Sequence, residues 1–293
     1  MNPRAHAPSD RAAVVALKGL AALNLLFLAV FLATLVFSVA QARARQAQVA
    51  CTGENLLAAL ERDDPAKLAE IRAEAAGVAN GDGVLWRIGK DGAEPSWLFG
   101  TMHMSDPRVV ALDRRARAAF EASSTVVIET TEVLDQAKMM AAMLANPELT
   151  MFTDGTTLMS LVPDEERAAL EAALGARGIP PASVARMKPW MISAMVALPA
   201  CELARMAAGA PVLDAVLATE GQAAGKALGG LETIADQLGA MASLPMEFHV
   251  RGLIDTLKLG DAVDDVIETM IALYLDGETA MFWPFFRAAL PAG

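Results

Sequence analysis

The chain has 293 residues, 54% of them hydrophobic, and a formal charge of −11; that apolar content over that length excludes a disordered polar chain and is enough for a sizeable core. Of its 24 basic and 35 acidic residues, five bases and one acid precede residue 46, which leaves 19 against 34 beyond it, a balance of −15. Such a surface repels phosphate backbones, so nucleic acid is not an expected partner.

Residues 1–18 form a tail carrying Arg4, Arg11 and Lys18, and Gly19 to Ala40 then run 22 residues without a charge. At 1.5 Å per residue such a helix is about 33 Å long, enough for a hydrocarbon core of roughly 30 Å. Arg43 and Arg45 follow, so the positive-inside bias toward a cytoplasmic N-terminus is three against two. Ala40-Gln41-Ala42 resembles a signal-peptide cleavage site, but the apolar stretch is longer than a usual signal core. The expectation is an uncleaved inner-membrane anchor over 19–40, with a cleaved signal as the rival. Either way the chain after residue 45 is placed on the periplasmic, extracytoplasmic side. Residues 41–55 connect the span to one main domain, 56–293.

The domain opens with helical sequence from Leu56 to Ala76, broken at Asp64-Pro65. Val84 to Ile88 and Ser96 to Phe99, separated by Gly89 and Asp91-Gly92, read as a hairpin. The second arm leads into Gly100-Thr101-Met102-His103, after which Ser105 or Asp106 can cap a helix opened by Pro107 and running from Arg108 to Ala122. A β-branched run, Thr125 to Ile128, then ends at Glu129. Strand, helix, strand predicts a right-handed crossover with parallel strands. His103 and Glu129 would both lie at strand carboxyl ends, where open α/β sheets bind ligands, and an imidazole beside a carboxylate there suits a divalent metal or a polarised water.

Beyond Glu129 the sequence is mostly helical. Segments are expected over Val133–Ala145, stopped by Asn146-Pro147; from Pro163 to Gly178; from Ala182 with breaks at Pro189 and Pro199; over 211–225; and from Thr233 to Ala289 with breaks near Pro245, Gly260 and Gly277. Lys226 to Leu231 reads as a short strand stopping at Glu232. The fold class is α/β but helix-rich: a small mixed sheet flanked by helices, behind an N-terminal transmembrane helix. Ser105 and Asp106 read as caps and Asp214 as mainly structural, while Glu129 has a bland alternative in pairing with Arg87 or Arg108. Glu232 could face the same pocket or bond a helix end. His249, the one other histidine beyond the span, reads as a solvated helix residue.

Leu85-Trp86-Arg87-Ile88, then Leu98 to His103 with Ser105-Asp106-Pro107-Arg108, then Val127-Ile128-Glu129, resemble the opening of the TraB/GumN family, related to the Tiki metalloproteases. Lys188-Pro189-Trp190, Pro199-Ala200-Cys201, Leu213-Asp214, and Gly230 to Thr233 with Gln237 follow in family order, and Cys51-Thr52-Gly53 resembles secreted bacterial members. The resemblance implies a metal-dependent hydrolase or protease-like protein in which two G-x-x-H motifs supply histidines. His103 matches the first motif and Glu129 the acid after the next strand, so His103 and Glu129 are the expected metal ligands, with Glu232 beside them as a catalytic candidate. The second G-x-x-H and its accompanying Arg-Asn pair have no match here, so the domain is expected to be C-terminally incomplete or degenerate. Two cysteines are too few for a disulfide scaffold; the resemblance to secreted members implies that Cys51 and Cys201 pair with each other.

Two functions stand against each other on these residues. One is an extracytoplasmic hydrolase of peptides or proteins using a divalent metal such as Mn, Co or Zn. The other is a non-catalytic membrane-anchored binding or regulatory domain, favoured by a two-ligand set where catalytic sites commonly need three. A nucleotide-binding protein is disfavoured, because Gly100-Thr101-Met102-His103 is not a phosphate-cradling loop.

Overall fold

Caps and helix breakers set the local structure over residues 51–289, which the computed structural model describes. Residues 1–50, with the Gly19–Ala40 span and the Ala40-Gln41-Ala42 site, lie outside the described residues, as do 290–293. Asn55 caps α1 (Leu56–Asp63) by accepting from the Leu57 N–H, and Asp64 caps α2 (Pro65–Ala76) by accepting from the Lys67 N–H. Proline at the first position of α2 costs nothing, since the N–H it lacks would have had no helical partner. The hairpin follows as β1 (Leu85–Ile88) and β2 (Ser96–Phe99), antiparallel with Leu85 opposite Phe99.

The single crossover sheet expected from the sequence is not formed. β3 (Thr125–Ile128) pairs in parallel with β4 (Ala227–Gly230), Thr125 opposite Ala227, and β1–β2 and β3–β4 are two separate two-stranded sheets. One edge of β2 is taken by β1 and one edge of β3 by a strand about a hundred residues away. The expected helix over Arg108–Ala122 is also split, into α3 (Pro107–Val110) and α4 (Arg114–Ala122). Ala111 turns extended and Asp113 starts α4 afresh by accepting from the Ala116 N–H.

The helical lobe obeys its prolines and glycines. A 3-10 turn (Thr131–Leu134) precedes α5 (Gln136–Ala145), and α6 (Leu158–Leu161), α7 (Asp164–Ala176) and α8 (Pro181–Val184) follow. The chain then bends by 98° between α9 (Pro189–Val196) and α10 (Ala200–Ala207), at Pro199. After α11 (Leu213–Ala223) and β4 come α12 (Ile234–Ser243), α13 (Met246–Lys258), α14 (Ala262–Asp276) and α15 (Phe282–Ala289). Gly277 ends α14 at φ 76°, a left-handed turn that favours glycine. Among the described residues no single helix is long and apolar enough to cross a membrane.

Three apolar clusters hold these elements. Leu170, Leu174, Ile192, Val196 and Leu253 join α7, α9 and α13; Leu68, Ile71, Leu273 and Phe285 join α2, α14 and α15. A third cluster lies beneath the site: Met104 and Val109 pack on Leu213, Leu217, Ile271 and Tyr274. Cys51 and Cys201 are joined by a disulfide with Cα atoms 5.3 Å apart, tying the start of the domain to α10. The arm after it is held against α14: Glu54 N–H donates to Asp265 and Leu56 N–H to the Thr269 hydroxyl, at 2.7 and 2.8 Å. Gly53 is required there, because a Cβ would come within 2.1 Å of the Asp264 carbonyl oxygen.

Candidate functional site

The chain leaves β2 at Gly100, whose N–H donates to the Val84 carbonyl (2.7 Å) and whose carbonyl accepts from the Tyr274 hydroxyl (3.0 Å). This fixes the turn and aims Thr101 at α11, where its hydroxyl donates to Asp214 Oδ1 at 3.0 Å. His103 follows, exposed, with Nδ1 4.0 Å from Asp214 Oδ2. That separation is too long for a hydrogen bond. Apo sites often show such loose pairs, which tighten when a substrate arrives.

Beneath His103 the next two residues are clamped by buried charge. Ser105 donates from its N–H (2.5 Å) and hydroxyl (2.7 Å) to Oε1 of Glu202, a carboxylate with no exposed surface. Arg205 reaches the other Glu202 oxygen at 2.7 Å and Asp106 at 3.4 Å. Asp106 caps α3 and accepts from the Arg108 side chain, which also forms two 2.7 Å bonds to Glu268. Burial alone would raise the Asp106 pKa, but the Arg108 hydrogen bonds and the charges of Arg108 and Arg205 outweigh it and hold the carboxyl below its usual 3.8. Asp106 is the cap the sequence implied, whereas Ser105 caps no helix and is tied to Glu202 instead; Arg108 is committed to Asp106 and Glu268.

Glu129 emerges from β3 into the same place. Gln237 Nε2 donates to Glu129 Oε2 (3.2 Å) and to Glu232 Oε1 (3.1 Å), so one amide on α12 links the carboxylates that end the two parallel strands. His103, Glu129, Asp214 and Gln237 all line one small pocket of about 40 Å³. Glu129 and Asp214 also line an adjoining open cleft of about 350 Å³, walled by Phe99, Phe120, Val126 and Leu217. Tyr274, which positions Gly100, has its pKa pushed up to about 12 by burial, with help from the charges of Asp214 and Asp113.

The structure therefore brings His103 and Glu129 to one pocket, with Glu232 on its rim through Gln237. It adds Asp214, which the sequence reading took as mainly structural, and Gln237; the signal for both was their place among the family-like motifs. His249 corrects an expectation: it is not solvated but buried, its Nε2 2.8 Å from the Met241 carbonyl and its ring 4.6 Å from that of Trp190. It lines neither cavity. Among the described residues no group of three or more His, Cys, Asp or Glu side chains is arranged to hold a metal ion.

The profile of the TraB/PrgY/gumN family matches residues 84–292, which spans both strand pairs and every residue of this pocket. The chain belongs to the TraB/PrgY/gumN family. No curated protein and no solved structure matches it. The family match starts at Val84, the residue whose carbonyl holds Gly100, and leaves out α1, α2 and Cys51.

Proposed function

We propose that this TraB/PrgY/gumN protein is an extracytoplasmic, membrane-tethered hydrolase of peptide bonds, with His103, Asp214 and Glu129 as its acid–base set. The observation that carries this reading is the convergence of those three side chains on one pocket that adjoins an apolar cleft. Asp214, itself held by Thr101, faces His103 Nδ1 and leaves Nε2 free to take a proton from a water in the pocket. Glu129, steadied by Gln237, would orient that water, and the protonated His103 would return the proton to the leaving amine as the C–N bond breaks. Family membership and the disulfide, which persists in oxidising compartments, support the placement, and residues 19–40 would supply the tether.

A divalent ion such as Mn, Co or Zn would supply Lewis acidity when bound. His103, Glu129 and Asp214 are the donors around the pocket, but they are not arranged as a three-ligand cluster, so no step here is routed through an ion. The test is cleavage of a fluorogenic peptide pool by the full chain in detergent, with and without chelator. Turnover lost in His103→Ala and Asp214→Asn supports the reading; turnover unchanged in both sinks it.

That no three-ligand cluster occurs among the described residues is what a second reading would draw on, a non-catalytic anchored domain that binds peptides or regulates a partner. Saturable peptide binding without turnover, together with no tight uptake of Mn, Co or Zn in calorimetry, would select it.

A further inference from the structure

We infer that the Cys51–Cys201 disulfide is a redox control point for the His103 turn: a dithiol reductant opens it at Cys51, and Arg205 carries the change to the loop that presents His103. The His103 side chain is 65% exposed and its Nδ1 approaches Asp214 only to 4.0 Å, so the backbone on either side sets its place. On one side the Thr101 hydroxyl donates to Asp214; on the other Ser105 gives both its N–H and its hydroxyl to Glu202. The second tether is the one the disulfide can reach, because Cys201, Glu202 and Arg205 share α10.

One guanidinium joins three groups there. Arg205 Nη1 donates to Glu202 at 2.7 Å, while Nη2 donates to Cys51 Sγ and lies 3.4 Å from Asp106. A disulfide sulfur is neutral and a weak acceptor, so Glu202, which has no exposed surface, keeps the cation. A thiolate in the same place accepts a charge-assisted bond about twice as strong as a neutral one. Opening the disulfide thus draws Arg205 from Glu202 toward sulfur, and the carboxylate that tethers Ser105 loses its counterion.

The same surroundings favour the opening. Cys51 is partly exposed whereas Cys201 is buried, which makes Cys51 Sγ the sulfur that an incoming thiolate can attack. The S–S bond breaks and Cys201 leaves as a thiolate at the second position of α10, a helix start with no side-chain cap and with Arg205 four residues on along the same face. A helix N-terminus and a nearby arginine both lower a thiol's pKa, and a thiol of lower pKa leaves faster. The reductant's second thiolate then attacks its own sulfur in the mixed disulfide and frees Cys51. Two electrons have passed to the cysteines, the reductant is left as an internal disulfide, and its two protons go to solvent or to the new thiols. This deepens the proposed reading by naming a regulation of its site, and it rests on that reading only for the effect on turnover.

The experiment follows hydrogen exchange of the Ser105 amide, by fragmentation mass spectrometry, for the full chain in detergent with oxidised or reduced dithiothreitol. Reduction should speed that exchange about tenfold and slow peptide turnover by a similar factor. Cys51→Ser with Cys201→Ser, which opens the loop but supplies no thiolate, should keep the slow exchange. Arg205→Met with Glu202→Gln should need about tenfold more reductant to open half the disulfide, because the thiolate has lost its cation, whereas a merely looser fold would open more easily. Glutathione followed by an alkylating trap should leave glutathione on Cys51 and the alkyl group on Cys201. Ser105 exchange that ignores reduction, fast exchange in the serine pair, a disulfide no harder to reduce in the Arg205 and Glu202 variant, or glutathione on Cys201 overturns the proposal. No turnover in either redox state, with exchange still responding, removes the hydrolase reading and leaves the inference standing; turnover with unresponsive exchange does the reverse.

Discussion

Arg205 donates across 2.7 Å to Glu202, a carboxylate with no exposed surface that also accepts both hydrogen bonds of Ser105, two residues after His103. Removing the cation leaves a buried charge without its counterion, which costs about 3–5 kcal/mol. Arg205→Met should lower stability by that order in urea titration. Adding Glu202→Gln should recover part of it, since an amide oxygen still accepts from Ser105. Recovery failing while the single variant is harmless would mean the pair does not hold this loop.

The same clamp predicts an acid limit. Asp106 has its pKa depressed below 3.8, so its contribution is fully present above the ordinary carboxylate range and lost as the pH falls through the lower folded value. Arg108→Met should shrink that loss, measured as the slope of stability against pH below about 4.

Tyr274 gives the alkaline counterpart. Its pKa is raised to about 12 from 10.0, so the neutral hydroxyl is the native form and its contribution is whole below pH 10. It disappears as the pH climbs toward 12. Tyr274→Phe should remove this alkaline dependence and, by cutting the bond to Gly100, cost about 1 kcal/mol at neutral pH. Absorbance titration of tyrosinate checks it directly, because Tyr274 is the chain's one tyrosine.

For the proposed chemistry, Asp214→Asn should reduce kcat/KM by about 10²-fold, the usual worth of a positioned acid–base partner. The asparagine oxygen still accepts from Thr101, so the fold should stay intact. Steady-state kinetics beside a melting curve separates the two effects.

Cys51→Ser with Cys201→Ser opens a loop spanning a sequence separation of 150. Chain-entropy arguments assign about 4–5 kcal/mol to such a closure, and measured losses run smaller. Denaturant midpoints with and without reductant should therefore differ in the parent and coincide in the variant.

Local chemistry made most helix ends legible: Asp64-Pro65, Pro199, Pro245 and Gly277 each break the chain where the sequence says they must. The hairpin was readable from runs bounded by Gly89 and Asp91-Gly92, and the short strand expected over Lys226 to Leu231 forms over Ala227–Gly230. Which strands pair was not readable. A crossover reading joined β2 to β3 because they are near in sequence, whereas β3 chose β4, a tertiary decision no local pattern records. Asp214 was hidden for a similar reason: an acid in the first turn of a helix has an ordinary dipole role, and only folding puts Thr101 and His103 beside it. His249 misled because Trp190, which covers it, comes from another helix.

The bridge from Cys51 to Cys201 encircles β1, β2, His103, β3 and Glu129 but stops short of Asp214, β4 and Gln237. A protease that cuts the exposed turn at Lys90 to Glu94 would thus produce two polypeptides that migrate as one until reductant is added. After reduction, His103 and Glu129 travel together on the larger piece with Asp214, leaving Cys51 and the arm on the smaller. A cut in that turn consequently leaves the two pieces covalently joined in an oxidising milieu and held by packing and the β1–β2 ladder alone in a reducing one.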